Sequence, residues 1–350
     1  MEKLLPRILK IAQKISETEN QRVKLANFLK EISKETSLSE HVEHDVLAEA
    51  KIVGVDGGLV KKSLHGLDFL LVRAVAACFY YKKDRVSKVD YHPSKHPLPL
   101  PEVMESLSEI EWSYFSSLTR QMFEVGAARE AMERFKPDMV IMHGMIFPHY
   151  LDKPSKGSGM FKEYEKLISE YKSLYNTAIN NNILLCGTIE DSKNISFCNY
   201  IDGEIFSKIK HPIVPELKIL LKNTRDTNLL FLLLQKGERT KVLELGIDNP
   251  ILKDLEGFSD KIKSFYLKTA QWDRPLKIDF LANADPDRLA ALILALSGKH
   301  SSYGLPAPII EADNVARLSE TDMENFYNQV ISHTGNIPSM IRLRREMRPF

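Results

Sequence analysis

Two stretches decide the fold: KIVGVDGGLV at residues 51–60 and DFLLVRAVAACFYY at residues 68–81. Residues 51–55 form a short apolar run of the kind that makes a buried strand, and Asp56-Gly57-Gly58 supplies the commonest turn formers. The second stretch is rich in branched and aromatic side chains. Two neighbouring antiparallel strands fit this pattern, with Asp56 at the end of the first.

The whole chain supports a packed α/β protein. Its 350 residues are 43% hydrophobic and 27% charged, enough to bury one large core or two modest ones. Lys and Arg total 48 against 47 Asp and Glu, so any contact with nucleic acid must rest on local patches rather than on a global positive field. The three cysteines, Cys78, Cys186 and Cys198, form no C-x-x-C pair, which suits a reducing compartment and argues against a zinc knuckle. The opening MEKLLPRILKIAQKI is amphipathic, and the longest apolar run, residues 229–234, is far too short to span a bilayer. The expectation is a cytoplasmic protein without membrane contact.

Four parts follow along the chain. Residues 1–50 read as a helical segment, with apolar residues such as Leu5, Ile8, Ala12 and Ile15 at helical spacing. Residues 51–200 read as the first part of a mixed-sheet core. A weaker strand is expected at 86–91, and the four prolines in HPSKHPLPLP (92–101) exclude regular structure there. A long helix is expected at 102–135, then a strand ending at His143-Gly144, a helix at 161–179 and a strand ending at Glu190-Asp191. Residues 201–260 read as a mostly helical insertion. Residues 261–350 complete the core, with a strand pair in SFYLKT and LKIDFL and helices at 285–299 and 308–331. Alternating strands and helices imply a mixed sheet flanked by helices.

Asp56, His143 and the Glu190-Asp191 pair each follow an apolar strand, and open α/β sheets collect their sites at the carboxyl ends of strands. Adding Glu124 on the long helix and Asp313 on a C-terminal helix gives the layout of RNase H-like nucleases, which hydrolyse phosphodiesters with two metal ions.

Several stretches carry a closer resemblance: IVGVDGG, LLVRAVAA, FEVGAAREAMERFKPDMVIMHG, GTIEDSK, FYLKTAQWDRPLKIDF, LPAPIIEADNVARL and RLRREMRP. They run in order from residue 52 to the C-terminus, and together they resemble the NurA nucleases that work with the HerA translocase. The resemblance implies an RNase H-like fold and a homodimer seated on a HerA-type hexameric ATPase. The implied activity is 5′–3′ exonuclease and single-strand endonuclease action on DNA for end resection. It puts the catalytic Asp on Asp56 and the catalytic Glu on Glu124, 19 residues before His143. Two positions depart from the family. His143 stands where the family has Asp, and Asp313 stands where it has His. In one reading the exchanges compensate. Asp56, Glu124, His143 and Asp313 then hold two ions, and the imidazole favours Mn²⁺ over Mg²⁺. In the other the site has decayed and the chain is a structural partner of a translocase.

Simpler roles stand beside these. Asp313 lies four residues before Arg317 and Glu124 four after Arg120, the spacing of helical ion pairs. Lys193 either neutralises a scissile phosphate, as a catalytic residue, or is solvated in a turn. Arg73, inside an apolar strand, needs a partner if buried, and a carboxylate at the site or a DNA phosphate would serve. Arg342, Arg344, Arg345 and Arg348 form a basic cluster that could meet DNA or bulk water. A third class, an actin-like phosphotransferase or ATPase, would use VDGG as a phosphate-gripping turn, but His143-Gly144-Met145 offers only one glycine for the second such turn.

Overall fold

The computed structural model describes residues 4–36, 38–43, 47–245, 249–298, 300–335 and 337–344. Among these residues one 11-stranded mixed sheet organises the chain. Its strands are β1 (Ser39–His41), β2 (Glu49–Ser63), β3 (Leu67–Lys82), β4 (Arg85–His92), β5 (Leu100–Glu105), β6 (Met139–His143), β7 (Leu184–Ile189), β8 (Glu238–Thr240), β9 (Leu243–Glu244), β10 (Ile262–Leu267) and β11 (Leu276–Leu281). The order across the sheet is β1-β8-β10-β11-β7-β6-β2-β3-β4, with β5 on β3 and β9 on β10. Only the central pairs β2/β6 and β6/β7 are parallel. This is the mixed, helix-flanked sheet that the sequence pattern implies.

Helices cover both faces. They are α1 (Leu5–Thr36), α2 (Glu109–Phe135), α3 (Phe161–Asn180), α4 (Ser196–Tyr200), α5 (Val214–Lys222), α6 (Asp226–Leu233), α7 (Pro250–Asp254), α8 (Pro286–Leu296), α9 (Ala307–Ala316) and α10 (Glu320–Thr334). The pleat sorts side chains by parity. Val53 and Val55 pack with α2 and α3 in one core cluster, and Ile52 packs with α8 and α9 in another. A further apolar cluster joins the C-terminal part of α1 to α4, α5 and α6. No helix among the described residues is long and apolar enough to cross a membrane.

Three local expectations need correction. Asp56-Gly57-Gly58 is not a turn, because β2 runs straight through it and pairs with β3 from Glu49 to Ser63. The glycines serve close approach instead: a Cβ on Gly54 would lie 2.2 Å from the Pro308 carbonyl oxygen, and one on Gly58 would lie 1.8 Å from that of Ala316. They let α9 lie directly on β2. An extended backbone there also removes the phosphate-gripping turn that an actin-like enzyme needs. Second, the proline-rich run leads into β5, which begins at Leu100 and includes Pro101. Pairing only with β3, this strand tolerates a residue without an N–H. Third, α2 starts at Glu109 rather than 102, with Ser108 capping it by accepting from the Glu111 N–H. The 201–260 stretch also contributes β8 and β9 to the sheet, beside its helices.

Candidate active site

Parallel pairing of Val55 with Met142, and of His143 with Thr188, aligns β2, β6 and β7 so that Asp56, His143 and Glu190 become neighbours at one end of the sheet. His143 stands between the acids. Its Nδ1 lies 3.1 Å from Asp56 Oδ2 and its Nε2 lies 2.9 Å from Glu190 Oε1. A neutral imidazole has one N–H, so donating to both carboxylates requires the imidazolium. Burial opposes that charge more strongly than any other single influence, but the hydrogen bonds and negative charges of Asp56 and Glu190 together outweigh it, raising the pKa to about 10. Asp56 Oδ1 accepts from the Gly57 N–H at 2.7 Å.

Glu124 approaches from α2. It is buried, and Gly57 leaves it room: a Cβ at 57 would lie 2.6 Å from Glu124 Oε1. That oxygen is 3.1 Å from Arg120 Nη1 as an ion pair but has no hydrogen-bond partner. Burial pushes the Glu124 carboxyl up to about 7; Arg120 and His143 pull it down, and the charge of Asp56 adds to the rise. The charges of Asp56 and His143 thus both act on Glu124.

Asp313 is differently engaged. Its Oδ2 lies 2.9 Å from Arg317 Nη2, the helical ion pair that the spacing allows. Its charge still reaches the site's edge: burial first, then Glu190, Asp313 and Asp273, raise the pKa of the Tyr303 hydroxyl. Sequence reading noted Glu190 at a strand end without giving it a role, and left Tyr303 out. Glu190 carried a signal as the polar end of β7, whereas Tyr303 sits in a loop with no periodicity to mark it.

Lys193 is exposed and lines a cleft of about 780 Å³ together with Arg120, Glu124, His143, Arg225 and Lys277. Its carbonyl accepts from Arg225 Nη1 at 3.0 Å. Lys277 is buried and paired with Asp279, whose Oδ2 has no partner. The K-x-D alternation inside the apolar LKIDFL strand was the available signal for that pair.

Of the expected DNA contacts, Arg73 is held by backbone carbonyls: its Nε donates to that of Ala316 at 2.9 Å, Nη1 to that of Pro97 at 3.2 Å and Nη2 to that of Arg317. It closes the C-terminal end of α9. Arg342 is likewise held, by Glu324 at 2.6 Å and over the Tyr327 ring. Arg344 is exposed, while Arg345 and Arg348 lie outside the described residues.

The donor chemistry fits a hard divalent cation: carboxylates from Asp56, Glu124 and Glu190, and an orphaned buried oxygen on Glu124 that a cation would satisfy. Among the described residues no three such side chains already converge on one point. The imidazolium occupies the space between two of the acids, so it must turn or lose a proton for a cation to join them.

Comparison with known proteins bears on family and fold. The family model described as NurA domain matches residues 50–318. The NurA nuclease from Sulfolobus solfataricus shares 17% identity with a TM-score of 0.55, covering 93% of this chain and 96% of that one. A NurA structure bound to dAMP and manganese shares 12% identity with a TM-score of 0.49, covering 97% and 99%. At 17% identity the likeness to the Sulfolobus solfataricus structure is one of fold. No curated protein matches the sequence significantly.

Proposed function

The chain belongs to the NurA family, and from that premise we propose that it is a divalent-metal-dependent DNA nuclease acting at the Asp56 cluster. The observation that carries this reading is that His143, closing β6, lies between Asp56 and Glu190 while the buried Glu124 of α2 stands against Gly57, beside a cleft of about 780 Å³. Asp56 and Glu124 would hold the cation, with Glu190 and His143 at its margin and Asp313 further out. A bound Mn²⁺ or Mg²⁺ would activate water and neutralise charge on the phosphate. The residues supply the rest. Burial raises the Glu124 carboxyl to about 7 without a cation, so its binding as a carboxylate ligand would release a proton near neutral pH. Arg120 balances the charge of Glu124, and Lys193, exposed in the cleft, is placed to meet a phosphate oxygen.

In the fuller form of this proposal the protein works as a homodimer with a HerA-type hexameric translocase in the cytoplasm, using two ions, preferably manganese. It would resect ends from the 5′ side and cut single strands. The test is cleavage of single-stranded DNA by purified protein with Mn²⁺, alone and with the translocase. Activity in the wild type that falls more than about a hundredfold in Asp56→Ala supports the reading. Equal activity in both, or none in either, overturns it.

One observation favours a second reading. The His143 imidazolium already supplies positive charge between Asp56 and Glu190, where a cation would otherwise be needed. A chain that keeps this bridge under metal is a catalytically impaired structural partner. Full metal occupancy without cleavage, or no metal binding, would distinguish it.

A further inference from the structure

The loop that leaves β6 after His143 lines the cleft and carries two exposed side chains: Tyr150, 59% exposed, and Leu151, 64% exposed. An exposed tyrosine is ordinary on a mobile loop, but this one stands on a fixed turn. Residues Tyr150–Asp152 form one 3-10 turn, which His149 caps by accepting the Leu151 N–H on Nδ1. Gln121 of α2 donates to Asp152 Oδ2 at 2.9 Å, and Tyr175 of α3 donates to the Ile146 carbonyl at 2.6 Å. Lys153 pairs with Asp254 at 2.5 Å. Both sides of the turn are therefore tied to the core, and the Tyr150 ring rests against the His149 ring with centroids 4.4 Å apart.

In the same cleft, on the loop leaving the adjacent parallel strand β7, the Lys193 ammonium has no protein partner among the described residues. The lining that includes Glu124 and His143 thus also offers an aromatic ring and a cation. A nucleic-acid strand with an unpaired base presents the complement: a flat π face on one side and an anionic backbone on the other. A rigid aromatic loses little conformational entropy on stacking.

Resting on the nuclease reading, we propose that Tyr150 is a base-stacking platform of the cleft, so that the strand is gripped through an unpaired base next to the reacting phosphate. The test measures binding by fluorescence anisotropy in EDTA, using a single-stranded deoxyoligonucleotide and an abasic strand of the same length. Wild type, Tyr150→Ala and Tyr150→Phe are compared. The account expects Tyr150→Ala to weaken binding of the base-bearing strand about tenfold, to leave the abasic strand unchanged, and Tyr150→Phe to behave as wild type. Equal weakening on both strands, or no change on either, overturns it. If stacking is found but the wild type cuts neither strand with Mn²⁺, the nuclease reading fails and the platform stands, so the two failures are told apart.

Discussion

The Glu124 carboxylate fills the space in which a side chain on Gly57 would begin, 2.6 Å from the ideal Cβ position. The glycine after Asp56 is therefore part of the site's packing, because it lets an acid from α2 reach a strand that carries another acid. Gly57→Ala should push Glu124 aside while leaving the β2–β3 ladder intact, since extended backbone accepts alanine. A misplacement of about 1 Å is worth roughly a hundredfold in rate. Cleavage assays paired with circular dichroism check this. A folded Gly57→Ala protein of wild-type activity would remove Glu124 from the mechanism.

The bridge from Asp56 through His143 to Glu190 makes metal binding and pH interdependent. In the metal-free protein the His143 pKa is raised from 6.5 to about 10. A raised pKa stabilises the fold fully below the unfolded value and loses that contribution as pH climbs through the folded one. Melting in EDTA should therefore show the advantage of wild type over His143→Gln narrowing between pH 6.5 and 10. If the imidazolium must give way to a cation, Mn²⁺ affinity should rise over the same interval, with proton release detectable by calorimetry in buffers of different ionisation enthalpy. An affinity flat with pH would mean that the ion binds away from His143.

Arg73 lies opposite Gly58 in the β2–β3 register and closes the end of α9 through the Ala316 and Arg317 carbonyls. Arg73→Met should cost about 2–4 kcal/mol of stability, the loss of charge-assisted hydrogen bonds at a helix terminus. Urea unfolding measures it. The salt dependence of DNA binding should stay the same, because no phosphate contact is removed. Unchanged stability with a shallower salt slope would restore the DNA-binding role.

Much of this architecture was legible in the chain. Strands β6, β7, β10 and β11 are short apolar runs bounded by turn residues, and α3 and α8 have helical periodicity, so local pattern and tertiary fold agree. The misreadings share a cause: a residue type with two uses. Glycine after Asp56 reads as a turn, but at 54 and 58 it makes room for a helix lying on the strand. Pro101 reads as a breaker, but an edge strand can hold it. Arg73 reads as an anion binder, but backbone carbonyls at a helix end satisfy it equally well. In the site, Asp56 and His143 were findable because each follows a short apolar run in the sequence. Whether Asp313 faces the cluster or Arg317 depends on rotation of α9 about its axis, which spacing does not encode, and the charge of Glu190 acts on Tyr303 only because of loop packing.

The central claim, that Asp56 and Glu124 hold a divalent cation, is most directly tested by anomalous scattering from crystals soaked in Mn²⁺ above pH 7. The account predicts a manganese peak within about 2.3 Å of oxygens from both carboxylates, with the His143 ring displaced from at least one of its two acids. A refined site without manganese, with His143 still bridging Asp56 and Glu190, would contradict it.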